Sequence, residues 1–261
     1  MITSKQNAKA KLVRSLLTRA RERKSEAAFV AEGVRLVEEA ASSGWAVRLL
    51  IYAEGLSGRG LELVEALRAR RVDIERSSAE LLQWLSDTET SQGLVAVIEQ
   101  QTLPLPEHPD FLLIPDQIRD PGNLGTLLRS AEAAGVQAVL VPPATADAFS
   151  PKTVRAGMGA HFRLPIHMVE WAEIKERAAR LRVLLADTVG TSAWDTDLRQ
   201  PLALIVGGEA EGASADAKAF ADHSVAIPMR STTESLNAAV AGSVLMFEVA
   251  RQRAAASSRP H

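Results

Sequence analysis

Phe111-Leu112-Leu113-Ile114 runs into Pro115-Asp116-Gln117-Ile118-Arg119-Asp120-Pro121-Gly122, which leads to Asn123-Leu124-Gly125-Thr126-Leu127-Leu128-Arg129-Ser130-Ala131. Four apolar residues in a row read as a strand buried on both faces. Pro121-Gly122 is a turn signal. Leu124, Leu127, Leu128 and Ala131 then recur at helical spacing, and Arg129 falls off that apolar face. A buried strand turning into an amphipathic helix is the building unit of a parallel sheet. The alternation continues, with strand candidates beginning at Phe111, Ala138, Pro165, Val183, Leu202 and Ser224 and a helical pattern between most successive pairs. The expectation is an α/β domain whose mostly parallel sheet is covered on both faces, with ligands beyond the carboxyl ends of the strands.

Upstream, Pro104, Pro106 and Pro109 block helix and ladder pairing over residues 100–110 and mark a linker. From Phe29 to about Glu99, short apolar runs (Val47 to Ala53, Leu94 to Ile98) alternate with helical stretches (Val34 to Ala41, Leu61 to Arg70), as in a smaller α/β domain. The expected organisation is residues 1–99, a linker 100–110, a second domain 111–253 and a flexible tail 254–261, with fraying from Arg251 after a long last helix.

Residues 1–24 hold Lys5, Lys9, Lys11, Arg14, Arg19, Arg21, Arg23 and Lys24 against one acid, Glu22, whereas the rest of the chain carries 22 basic and 31 acidic residues. Leu12, Val13, Leu16, Leu17 and Ala20 recur at helical spacing, so the arm is an amphipathic helix that docks by its apolar side. Its charges suit a solvated face or an RNA-binding arm equally well. Cysteine is absent, which removes disulfides, thiolate metal sites and any mechanism in which a thiolate attacks a base or a carbonyl. His108, His161, His167, His223 and His261 are scattered without ligand spacing, so no metal is expected. No apolar run approaches the roughly 18 residues of a membrane span, and residues 1–24 lack a signal core; a cytoplasmic protein is expected.

Two further segments resemble the first in grammar. Leu204-Ile205-Val206-Gly207-Gly208-Glu209-Ala210-Glu211-Gly212 is a buried-type strand entering a glycine-rich acidic loop; it lacks both the Gly-Lys-Ser/Thr of a phosphate loop and the G-x-G-x-x-G of a dinucleotide fold. Val225-Ala226-Ile227-Pro228-Met229-Arg230-Ser231-Thr232-Thr233-Glu234-Ser235-Leu236-Asn237-Ala238 ends a strand, crosses a polar loop and opens a small-residue helix. Each segment alone has a plain structural explanation. Asn123 reads as a helix N-cap, Arg129 as the partner of Glu132, Glu209 and Glu211 as solvated loop acids, Ser235 as a cap and Asn237 as a first-turn hydrogen bonder. The small residues of the last helix also suit a surface on which another chain packs.

In this order and spacing, the three segments resemble the signature motifs of the SpoU (TrmH) family of the SPOUT superfamily. Phe29-Val30-Ala31-Glu32-Gly33-Val34-Arg35-Leu36-Val37-Glu38-Glu39 resembles that family's N-terminal substrate-binding domain. The resemblance implies a carboxy-terminal α/β domain closed by a trefoil knot and an S-adenosylmethionine-dependent RNA (ribose-2′-O)-methyltransferase acting on ribosomal or transfer RNA as a homodimer. Carried over by position, it assigns backbone contacts with the cofactor to Gly207, Ile227 and Leu236. It assigns the functional side chains to Asn123, Arg129, Glu209, Ser235 and Asn237. Gly208 stands where the family often has asparagine, and Ser231-Thr232 where it often has glycine. The competing expectation is a non-catalytic RNA-binding or ribosome-assembly protein that keeps the fold.

Overall fold

The computed structural model describes residues 1–88, 90–209, 212–230 and 235–257; Glu211, the Ser231-Thr232 departure and the end of the tail, including His261, lie outside them. The chain divides into two units, residues 1–101 with 149–162, and residues 102–148 with 163–261.

The first unit begins with α1 (Ala8–Thr18) and α2 (Ala20–Glu26). Asn7 caps α1, its Oδ1 accepting the N–H of Lys9 at 2.9 Å, and α1 buries Ala10, Val13, Leu16 and Leu17. The expected docked amphipathic helix is therefore present, but it ends one residue before the break at Arg19, leaving Ala20 exposed instead of buried with the apolar face. There follow β1 (Ala28–Glu32), α3 (Val34–Ser42), β2 (Val47–Ala53), α4 (Gly58–Ala69), β3 (Asp73–Ser77), α5 (Ala79–Trp84) and β4 (Leu94–Glu99). The sheet order is β1-β4-β2-β3, antiparallel except for the β2–β3 pair. Helices α1 and α5 and one sheet face enclose a core that includes Val13, Leu16, Val30, Ile51, Leu81 and Val97.

The second unit supplies β5 (Phe111–Asp116), α6 (Pro121–Ala133) and β6 (Ala138–Val141). The chain then passes through α7 (Pro151–Gly157), which belongs to the first unit, where Phe149 and Phe162 pack on Phe29 with ring centroids 5.2 and 6.3 Å away. It returns as β7 (Ile166–Met168), α8 (Trp171–Arg177), β8 (Arg182–Ser192), β9 (Leu202–Gly207), α9 (Ala215–Phe220), β10 (His223–Ala226) and α10 (Ala238–Ser257). The order β10-β8-β9-β5-β6-β7 is parallel at every pairing, and β5, β6 and β9 are buried along nearly their whole length, as a sheet covered on both faces requires.

Strand order reverses at β5. From β5 the chain runs outward through β6 and β7, then returns on the other side to place β8 and insert β9 between β8 and β5. Crevices in open α/β sheets form beyond the carboxyl ends at such a reversal. The small residues of α10 serve packing inside this unit: a Cβ on Gly242 would lie 2.5 Å from Leu127 Cδ2 of α6 and 3.1 Å from Val206 Cγ2 of β9. Where fraying was expected from Arg251, the described chain stays helical to Ser257. Gln252 donates to the carbonyl of Thr196 at 3.1 Å, and Arg253 reaches Asp110 Oδ1 at 2.9 Å and stacks over Phe111. Buried Glu248 is held below the usual carboxylate range by Arg251, with Gln252 adding a second donor. Among the described residues no helix is long and apolar enough to cross a membrane.

Candidate functional site

At the end of β5, Asp116 is fully buried, and its Oδ2 accepts the N–H of Ser214 at 2.6 Å, tying the far end of the Gly207 loop to this strand. Gln117 follows in the left-handed region (φ 54°). Helix α6 then starts three residues earlier than a cap at Asn123 would allow. Asp120 is the N-cap, its Oδ1 accepting the N–H of Asn123 at 2.9 Å, and Pro121 occupies the first helical position, where a missing N–H costs nothing. Asn123 is thus in the first turn, and its amide is released from capping.

That amide donates to Glu209 Oε1 at 2.6 Å. Asn237 donates to the same oxygen at 2.5 Å and to Asn123 Oδ1 at 3.2 Å. Asn237, not Ser235, is the cap of α10: its Oδ1 accepts the N–H groups of Ala239 at 3.0 Å and Val240 at 3.2 Å, so its rotamer is fixed by the helix it starts. One carboxylate oxygen therefore gathers amides from two other segments, and all three segments singled out in the sequence meet there.

Beside this cluster is a cavity of about 650 Å³, within the range of small-molecule sites. Gly207, Ile227 and Leu236 all line it, together with Glu209, Ser235 and Asn237; Val206, Ala241 and Leu245 give it an apolar wall, and Asp187, Lys218 and Met229 were not found from sequence. A second cavity, of about 340 Å³, shares Gly208, Glu209, Gly212 and Ala238 with the first and adds Gln117, Arg119, Asp120 and Asn123. Arg129 is exposed, lines neither cavity, and does not pair with Glu132, whose carboxylate binds Arg163 at 2.9 Å. Among the described residues no three His, Asp or Glu side chains are grouped to hold a metal.

The glycines are required by the loop's own backbone. A Cβ on Gly207 would stand 2.7 Å from the Ala213 nitrogen, and one on Gly208 would stand 2.3 Å from the Gln117 carbonyl oxygen. The left-handed turn at Gln117 is what brings that carbonyl against the loop, which accounts for glycine at a position where asparagine would need the β5 turn to move.

In the first unit, half of the basic arm is occupied internally. Lys9 pairs with Asp73 and Glu75 at 2.7 Å each, Lys5 and Arg14 stack on Trp84, and buried Arg23 donates to the Leu16 carbonyl at 2.6 Å. Lys11, Arg19, Arg21 and Lys24 are exposed.

A family model for the SpoU rRNA methylase family matches residues 110–247, and one for an MRM3-like substrate-binding domain matches residues 7–96. The chain is 33% identical to a 23S rRNA (uridine(2479)-2′-O)-methyltransferase of Streptomyces viridochromogenes, over 97% of this chain and 92% of that one. It is 32% identical to a 23S rRNA (guanosine(2553)-2′-O)-methyltransferase of Bacillus subtilis, over 95% and 98% respectively. Among solved structures it resembles the SpoU methyltransferase AviRb of Streptomyces viridochromogenes in complex with AdoMet, with TM-score 0.82 and 31% identity, over 95% of this chain and 100% of that one.

Replacing Gly208 by alanine is expected to destabilise the fold by about 1–3 kcal/mol, the usual cost of forcing extra atoms into a packed position. Urea denaturation measures it; an unchanged midpoint would mean that the Gln117 carbonyl yields without strain.

Proposed function

The chain belongs to the SpoU rRNA methylase family, and from that premise we propose that it transfers the methyl group of S-adenosylmethionine to a ribose 2′-hydroxyl of structured RNA, ribosomal in preference to transfer RNA. The observation that carries this reading is the junction of Asn123, Glu209 and Asn237 on the rim of a cavity that also collects Gly207, Ile227 and Leu236. The ribosomal preference rests on the 23S rRNA substrates named for the Streptomyces and Bacillus relatives. An intact polar cluster beside an open cavity favours catalysis over a fold kept for RNA binding alone.

The cavity suits the methyl donor. Its size and apolar wall match an adenosine, and peptide groups of Gly207, Ile227 and Leu236 supply edges that read a base whatever the side chains. Bound S-adenosylmethionine brings a methyl already activated by its sulfonium. What the chain must add is alignment of the ribose oxygen and help in shedding the hydroxyl proton. Asn123 and Asn237, both bonded to Glu209, hold a fixed polar rim between the two cavities, while Ser235 offers a hydroxyl within the first.

Arg129 is assigned to orient the nucleophile with the RNA phosphate, because a guanidinium presents donors in a fixed fork and no acceptor with which to take a proton. Its position outside the cavity supports a role in RNA-side chemistry and not in holding the cofactor. The exposed cations of the arm, Lys11, Arg19, Arg21 and Lys24, add phosphate contacts from residues 1–99, with shape providing selectivity. The trefoil knot and a cytoplasmic location follow the family. So does a homodimer, which the exposed Val240 and Phe247, seven residues apart on α10, also favour.

Arg129→Ala is expected to lower methyl transfer to RNA by at least a hundredfold, the scale of a lost positioning group, while calorimetric binding of S-adenosylmethionine stays within about twofold of wild type; joint loss of both would refute the division of labour. Light scattering at micromolar protein is expected to give twice the chain mass, and a monomeric mass would contradict the dimer.

A further inference from the structure

We propose that Lys218 binds the carboxylate of the methyl donor's methionine moiety, an assignment that rests on the cofactor reading above. Among the described residues lining the cavity of about 650 Å³, the charged ones are Asp187, Glu209 and Lys218. Both acids already hold donors. Glu209 receives the amides of Asn123 and Asn237, and Asp187 Oδ1 accepts the N–H groups of Thr188 at 2.7 Å and Val189 at 3.3 Å. The Lys218 ammonium has no hydrogen-bond or ion-pair partner among the described residues, and the acid two positions before it, Asp216, is taken by Lys175 at 3.1 Å.

The lysine is carried on a fixed base. Ser214 caps α9 through its Oγ, which accepts the N–H of Ala217 at 3.1 Å, while its own N–H donates to the buried Asp116. Ala217 is fully buried, so the residue after it is held at the cavity by a packed neighbour and by the end of β5.

At neutral pH S-adenosylmethionine carries a sulfonium, an ammonium and one carboxylate, on a neutral adenosine. A cation on the cavity wall repels the first two and attracts the third. A lysine ammonium brings three donors on a flexible stem, which suits an end-on contact with a carboxylate.

Calorimetry on the full chain separates this from a structural role by using two probes. S-adenosylhomocysteine contains the carboxylate, whereas 5′-methylthioadenosine has the same nucleoside and sulfur without the amino-acid end. Lys218→Met is expected to weaken S-adenosylhomocysteine about tenfold, as loss of one charge-assisted contact does, and to leave 5′-methylthioadenosine unchanged. Lys218→Arg is expected to recover most of the lost affinity. Equal weakening of both probes, or no weakening of S-adenosylhomocysteine, overturns the assignment. Wild-type protein that binds neither probe overturns the cofactor reading itself, a result distinct from either of those.

Discussion

Glu209 Oε1 accepts hydrogen bonds from Asn123 and Asn237, residues that lie 86 and 28 positions away along the chain. Hydrogen bonds to an ionised acceptor are about twice as strong as neutral ones, and two of them on one oxygen set the relative positions of the segments that supply them. The amides are themselves constrained. Asn237 caps α10, and Asn123 is fixed in the first turn of α6 because Asp120 takes the capping role. Loss of the Glu209 carboxylate would leave two converging amides without their common acceptor, at the mouth of the space where chemistry is assigned.

A second constraint, backbone proximity, makes that convergence possible. Strand β5 stops at a buried aspartate that grips the Ser214 N–H, turns through a left-handed Gln117, and brings a carbonyl so near Gly208 that a Cβ would not fit. On the opposite side, Gly242 lets α10 lie close on α6 and β9. Side-chain volume is removed where main chains cross, and the cavity of about 650 Å³ opens beyond the carboxyl ends of β9 and its neighbour β8. The arrangement lets small residues such as Gly207, Ala213 and Ala241 line the cavity beside polar Glu209, Ser235 and Asn237.

Much of this was legible in the residues because apolar periodicity is a local signal. The strand starts read at Phe111, Ala138 and Leu202 coincide with those observed, and those read at Pro165, Val183 and Ser224 differ by one residue. β3 escaped because Asp73-Ile74-Glu75-Arg76-Ser77 is a polar sheet edge with little apolar pattern. The caps of α6 and α10 were misread for one reason: Asp120 and Asn123, like Ser235 and Asn237, are both competent caps, and the choice depends on which N–H groups the chain presents. Asp187 and Lys218 were invisible because nothing local marks them; only the fold brings β8 and α9 to the same cavity. The internal use of Lys5, Lys9, Arg14 and Arg23 was equally hidden, since their partners are remote carboxylates, a tryptophan and a helix end.

A crystal structure of the protein with S-adenosylhomocysteine tests the account most directly. The expected result is an adenosine in contact with the peptide groups of Gly207, Ile227 and Leu236, with the sulfur turned toward the oxygen of Glu209 that joins the two asparagines. An adenosine seated elsewhere on the molecule, or a sulfur facing away from that junction, would contradict it.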